Sequence, residues 1–308
     1  AGTVGTVKIS IWPNMSIATD EVLDRARWAD ANGYHGVWYA DHYMPNTGSE
    51  EIQRGDTHEC WAMLPAIAAV TERVRVGSLV SPTSVHHPAV LANRAVTLDH
   101  ISNGRMVLGL GAGWQINEHQ AYGIELQAPK QRVDRFEEAI EITRSLLNDE
   151  RTNFDGEYYT FTEAPADPAP VQSPLPILVG TGGPRMLRIT ARHADEWNTW
   201  GTVDGAADRY AAFEQACESV GVDRADKWTS VQALVALTDT AEQADEILAG
   251  PMGARAIAGT AEALREQLAA YADIGFDEFI VPDFNLGRTL DERISAYERL
   301  RADVIDQL

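Results

Sequence analysis

Lysine is almost missing from this chain: Lys8, Lys130 and Lys227 are its only three, so arginine makes up nearly all of the 25 basic residues. Against them stand 46 aspartates and glutamates, for a formal net charge of −21. Wrapping a phosphate backbone or docking on an anionic membrane requires basic patches. Neither nucleic acid nor membrane is therefore an expected partner. The acidity reads as an ordinary solvated surface, a salt-adapted one or a codon bias toward Arg and Ala. Cysteine is equally scarce. Cys60 and Cys217 stand far apart in no CxxC pattern, which suggests neither a disulfide framework nor a zinc site, and His86-His87 lacks the spacing of a metal motif, so no metal is expected. No apolar run reaches the roughly 18 residues of a membrane span, and no basic-then-apolar leader follows Ala1. A soluble, cytoplasmic protein is the expectation. There is no GxSxG elbow to anchor a hydrolase triad. Nor is there a well-placed Schiff-base lysine, because Lys8 and Lys227 begin strands and Lys130 sits in a loop.

What is present is ample material for a core: 308 residues, 44% hydrophobic, with eight tryptophans. Short apolar runs alternate with amphipathic segments. Strands are predicted at 7–12, 36–40, 74–80, 105–111, 176–180, 196–199, 229–237 and 278–281. Helices are predicted at 20–32, 59–70, 88–102, 131–147, 184–193, 204–220, 261–274 and 289–305. Strict alternation implies parallel strands, because a parallel crossover needs about a dozen residues and usually a helix. Eight such units predict an α/β fold, a (β/α)8 TIM barrel with insertions, as one domain over 1–308; an open doubly wound sheet is the alternative. The Pro-rich stretch 164–176, beside a hairpin-like segment at 158–161, reads as an insertion.

In such barrels functional groups collect at the C-terminal strand ends. Asp41-His42 follows the strand Val37-Trp38-Tyr39-Ala40, and reads either as a general acid–base pair or as a structural loop cap. Gly180-Thr181-Gly182-Gly183-Pro184 closes a strand and opens a helix. Its glycines would let backbone N–H groups approach an anion, with the helix dipole behind them; a plain tight turn is the alternative. The run Gly109-Leu110-Gly111-Ala112-Gly113-Trp114 lacks the continuation of a dinucleotide fingerprint, since no helix-like apolar pattern follows at once. It reads better as a strand end drawn close to a flat ligand. Trp28, Trp61 and Trp228 read as core.

Four blocks, GVWYADHYMP (36–45), VRVGSLVSPTSVHHPAVLA (74–92), ISNGRMVLGLGAGWQINEHQAYGI (101–124) and PILVGTGGPRMLRITARHADEWN (176–198), occur in order over most of the first 200 residues. Together they resemble the luciferase-like monooxygenase superfamily, and within it the branch that uses the deazaflavin coenzyme F420. The resemblance implies an oxidoreductase that exchanges a hydride between the deazaflavin ring, held at the barrel mouth, and a small-molecule substrate, in a protein that forms a homodimer. It implies that Asp41 contacts the ring region and that His42 lies near the reacting centre and handles the proton. Ser78-Leu79 would carry the family's non-prolyl cis peptide behind the ring, and Ala112 and Gly113 would border it. Gly180, Thr181, Gly182 and Gly183, with Arg185, would hold the anionic tail. Two departures from the family's sugar-phosphate dehydrogenases, Trp114 where they carry a Glu and Asn46 where they carry a Trp, argue against sugar-phosphate oxidation; Glu118, four residues on, could supply a carboxylate. Trp12, Asn14, Tyr43, Trp114 and Trp200 would line an aromatic substrate pocket. The same blocks also fit an FMN-dependent monooxygenase or a non-catalytic flavin-binding relative.

Overall fold

The strands are short and several are apolar on both faces, as in Ile177-Leu178-Val179 and Val107-Leu108, so these must be covered on both sides. The computed structural model, which describes residues 6–308, satisfies this by closure. Eight parallel strands form the ring: β1 (Lys8–Trp12), β2 (Gly36–Tyr39), β3 (Arg75–Ser78), β4 (Met106–Gly111), β5 (Ile177–Gly180), β6 (Glu196–Trp200), β7 (Trp228–Gln232) and β8 (Glu278–Pro282). Each pairs with the next, and β8 returns to β1 in the register Lys8↔Glu278 to Trp12↔Pro282. The expected (β/α)8 barrel is the fold, and the open sheet is not.

The helices fall where the periodicity puts them: α1 (Thr19–Ala31), α2 (Cys60–Ala69), α3 (Pro88–Ser102), then, after a shorter helix, α5 (Pro129–Asn148), α6 (Pro184–His193), α7 (Val203–Val220), α9 (Ala261–Ile274) and α10 (Leu290–Asp303). Two helices were not expected from the sequence, α4 (Ile116–Tyr122) and α8 (Ala241–Leu248). The predicted strand 229–237 is in fact two. It breaks at Ala233, and Leu234–Leu237 leaves the barrel to pair with Ala256–Gly259. The insertion carries an antiparallel hairpin, Arg151–Asp155 with Thr160–Pro165. Its turn is held on α5 by Glu138, whose carboxylate accepts the N–H groups of Glu157, Tyr158 and Tyr159. Among the described residues no helix is long and apolar enough to cross a membrane, and both cysteines are buried and unpaired.

The two ends of the barrel interior differ in chemistry. At the N-terminal end Arg75 pairs with Glu196 and lies 3.8 Å from Glu278, whose carboxylate also accepts the indole N–H groups of Trp38 at 2.7 Å and Trp228 at 3.1 Å. Gly77 makes room for this layer, since a Cβ there would lie 2.6 Å from the Trp38 ring. Two buried carboxylates thus share one guanidinium, and Glu278 has the indole donors in addition. Burial pushes the Glu196 carboxyl up from its ordinary 4.5 to about 7, with Arg75 opposing and Glu278 adding to the rise. At the opposite wall Arg25 and Asp283, both fully buried, pin α1 against the end of β8.

An acid whose folded pKa is raised binds its proton more tightly when folded. Its stabilising contribution is complete below pH 4.5 and is lost as pH rises through about 7. The denaturation midpoint is therefore expected to decline between pH 5 and 7.5, and Glu196→Gln to flatten that decline. Urea titrations of both proteins across this range check it; parallel curves would contradict the assignment.

Candidate active site

Asp41 stands two residues past the end of β2 and is fully buried. A buried carboxylate has to be met by donors, and three arrive at one oxygen. Oδ2 accepts from Ser81 Oγ at 2.6 Å, from the Trp61 indole at 3.1 Å and from His86 Nε2 at 2.8 Å. The donors come from α2, from the segment after β3 and from the turn before α3. Trp61 is buried as expected of a core residue, but it also belongs to this polar hub. Its indole N–H reaches Ser81 Oγ as well, at 3.0 Å. Asp41 Oδ1 is buried and has no partner among the described residues.

His42 follows, and its Nδ1 lies 3.0 Å from Glu118 Oε1. Glu118 is 2% exposed and its other oxygen accepts the Tyr43 N–H at 3.0 Å. An ionised carboxylate can only accept, so a proton on Nδ1 makes this bond, while Nε2 has no hydrogen-bond partner among the described residues. The edge of His42 meets Trp114, ring centroids 5.7 Å apart at 82°. Glu118 is placed by α4, a helix of two turns that fastens the long loop after β2. The amide of Asn117 donates to the carbonyls of Ser49 and Glu51, and the Tyr122 hydroxyl to that of Tyr43.

The floor beside this pair is built from glycine. Cβ atoms added at Gly109, Gly111 and Gly180 would lie 3.1, 2.8 and 3.2 Å from the Val80 side chain, so Val80 fills the space that three absent side chains leave. Gly113 has φ +90°, and a Cβ there would come within 2.0 Å of Ser84 Oγ; Ala112 lies beside it, half-buried. The non-prolyl cis peptide is Leu79–Val80, not Ser78-Leu79. Ser78 points elsewhere, its hydroxyl bridging the Gly109 carbonyl and N–H at 2.9 and 3.1 Å to tie β3 to β4.

Beyond β5, the Thr181 N–H is used by the Asn198 carbonyl at 3.1 Å and its carbonyl by the Trp197 indole at 2.9 Å, so Thr181 belongs to the barrel wall. Gly182 and Gly183 are exposed, and nothing lies within 4 Å of a Cβ on either. Gly183 starts α6, which no side chain caps. The N–H groups at the N-terminus of this ten-residue helix have no side-chain acceptor, an arrangement that suits an anion. Arg185 is not free to add to it, because Asp134 and Glu137 hold its guanidinium, the latter at 2.7 Å. Of the expected aromatic lining, Trp12 and Trp200 meet at 5.7 Å, whereas the Asn14 carbonyl oxygen of the side chain turns back to the Ser16 N–H at 2.9 Å. Val80 and His86 were missed in the sequence. Val80 carries no chemical signal of its own, and His86 was weighed only as a metal ligand.

The profile of the luciferase-like monooxygenase family matches residues 3–256. An F420-dependent glucose-6-phosphate dehydrogenase of Amycolatopsis mediterranei is 34% identical over 178 residues, which are 57% of this chain and 51% of that protein. The chain thus spans about half the length of the curated relatives it matches. Among solved structures, the coenzyme F420-dependent tetrahydromethanopterin reductase of Methanopyrus kandleri superposes with a TM-score of 0.79 at 15% identity, covering 98% of this chain and 99% of that one. An F420-dependent secondary alcohol dehydrogenase does so at 0.80 and 18%, covering 97% and 99%.

The glycines separate into two kinds by substitution. Gly113→Ala combines a left-handed backbone with a clash and is expected to cost at least about 1–2 kcal/mol of stability. Gly182→Ala is expected to leave the denaturation midpoint within about 0.5 kcal/mol of the parent, as at an unencumbered surface position. Denaturant titration of both variants checks the pair.

Proposed function

The chain belongs to the luciferase-like monooxygenase family, and we propose that it is an oxidoreductase exchanging a hydride between the deazaflavin coenzyme F420 and a small organic substrate. The observation that carries this reading is the pairing of an orphan acceptor with a proton-carrying dyad. Asp41 Oδ1 is buried without a donor, one residue from an imidazole whose tautomer is set by Glu118. The relatives named for F420 support it, as does the fit of the site to that coenzyme. A flat ring needs a smooth wall, which Val80, seated in the space left by Gly109, Gly111 and Gly180, would provide, and its phosphate-bearing tail needs the open turn at Gly182 and Gly183.

When bound, the coenzyme supplies a ring carbon that takes up or gives back a hydride. The chain does the rest. Three donors on Oδ2 fix the rotation of the Asp41 carboxylate, and Oδ1, left without a partner, would accept an N–H of the bound ring. The amides of Gly182 and Gly183 and the α6 dipole hold the phosphate. His42 Nε2 takes the proton of a substrate hydroxyl, or returns one to a carbonyl, and Glu118 stabilises the imidazolium so formed. The Trp114 ring shields the dyad from water on its open side.

Titration of the protein with F420 and with FMN, followed by the fluorescence of each ring, tests the reading: tighter binding of F420 is expected, and binding of FMN alone would overturn it. His42→Ala is expected to retain coenzyme affinity and to lower kcat about 10²–10⁴-fold, the usual share of general acid–base catalysis. The double variant Gly182→Ala, Gly183→Ala is expected to weaken F420 binding at least about tenfold, through roughly 1.4 kcal/mol lost in the filled cradle. Because the charge of −21 opposes an anionic tail and salt screens that field, F420 affinity is expected to fall little between low and moderate ionic strength. A steep loss in dissociation constants measured across that range would point instead to cation-mediated binding.

A further inference from the structure

The barrel mouth has two halves. The groups that would hold the coenzyme stand on β2 to β5: Asp41, Val80, Gly113 and the Gly182–Gly183 cradle. The half formed by β6, β8 and β1 carries none of them and ends in three aromatic rings. Trp12, at the end of β1, lies 5.7 Å from Trp200, at the end of β6, and 5.2 Å from Phe284, just past β8. The rings grade from buried to open, since Trp12 is 7% exposed and Phe284 43%. The Trp12 indole N–H is buried and has no acceptor among the described residues. A dry aromatic wall with one unspent donor suits a ligand that is apolar except for a single oxygen.

The cations tell the same story from the other side. A phosphate dianion is held by free guanidinium or ammonium groups, and three of the arginines near the mouth, Arg132, Arg185 and Arg209, already have partners. The Arg132 guanidinium donates to the Gly113 carbonyl at 2.8 Å, and Arg209 donates to Thr199 Oγ1 at 3.1 Å and to the Trp200 carbonyl. Arg185 is bound by two carboxylates. Arg54 and Arg288, in the loops after β2 and β8, are turned to solvent. Glu118 and Asp41 add negative charge where a second anion would have to enter.

From this we infer that the substrate is an uncharged alcohol, or the matching carbonyl compound, with a bulky apolar or aromatic body that packs on Trp12, Trp200 and Phe284, and that sugar phosphates are not substrates. The inference rests on the F420 reading for its chemistry. The carbinol C–H bond breaks with its electron pair passing as hydride to the deazaflavin, the hydroxyl proton passes to His42 Nε2, and a C=O bond forms. The alcohol is oxidised by two electrons and the coenzyme reduced by two, and the reverse reduces the carbonyl.

Calorimetric titration of the F420-loaded protein with 1-phenylethanol, acetophenone and glucose 6-phosphate tests this, alongside F420 reduction by the two alcohols. At least tenfold tighter binding of the two neutral probes is expected, with turnover of 1-phenylethanol and none of the sugar phosphate. Trp12→Ala and Trp200→Ala are expected to weaken the neutral probes at least tenfold while the F420 dissociation constant stays within twofold; Trp200→Phe is expected to restore most of the loss at that position, and Trp12→Phe, which lacks the indole N–H, only part of it. Circular dichroism identifies any variant that fails to fold, for which the Phe variants carry the comparison. Tighter binding of glucose 6-phosphate, or probe affinities that ignore all the Trp variants, would overturn the inference. Failure of F420 to bind would overturn the coenzyme reading instead. In that case the same neutral probes, titrated into the coenzyme-free protein and its Trp variants, still decide whether the aromatic cage is a binding surface.

Discussion

The mouth of this barrel is organised around one carboxylate oxygen. Asp41 Oδ2 gathers a hydroxyl, an indole and an imidazole from three separate segments, within 2.6 to 3.1 Å. Burying an ionised carboxylate is costly unless its charge is spread over several donors, and three charge-assisted bonds provide that spread. The same bonds fix where β2 ends relative to α2 and to the segment after β3. They therefore set the starting point of the loop that carries His42, and they decide that Oδ1 is the oxygen left over. Removing any donor would free the rotation of the carboxylate and blur the geometry next to it.

A second constraint acts through absence. Val80 sits among Gly109, Gly111 and Gly180, where larger residues would collide with it. The missing side chains make the room in which Val80 is seated at the strand ends. The opposite half of the mouth is crowded with aromatic rings, and this division lets a single opening present one smooth wall and one adhesive wall. The acidic surface does not contradict the proposed anion site at Gly182 and Gly183, because its donors would be backbone N–H groups. Their partial charges do not depend on the side-chain composition that sets the net charge. The N-terminal end of the barrel spends its polar groups on cohesion, with Arg75 and two carboxylates locked between indoles, in keeping with the general division of such barrels into a stable and a working face.

Much of this was legible in the chain. Apolar runs of four to six residues separated by amphipathic segments made the eight barrel strands visible, and Asp41-His42, Gly113 and the Gly182–Gly183 turn stood out because strand ends are where such residues have meaning. Other features were not legible, for identifiable reasons. The helix at 116–122 has no apolar stripe, since Asn117, Glu118 and His119 are buried polar residues held by partners far away in sequence. The segment 229–237 reads as one strand because no Gly, Pro, Asn or Asp interrupts it. Only the competing pairing with 256–259 shows where it divides. Arg185 beside the cradle suggested an anion ligand, yet Asp134 and Glu137, about fifty positions earlier, had already claimed it.

By itself, then, the sequence determined the alternation that makes a barrel, the strand ends at which chemistry belongs, and the glycines that keep two of those ends bare. These are local properties, readable from neighbours along the chain. The tertiary structure alone decided that Glu118 faces His42, that Trp61 and His86 orient Asp41, that Asp134 and Glu137 hold Arg185, and that Trp12 meets Trp200 across the opening. Each of these is a contact between residues at least twenty positions apart, fixed by how strands close into a ring. No periodicity in the chain records which side chains that closure brings face to face.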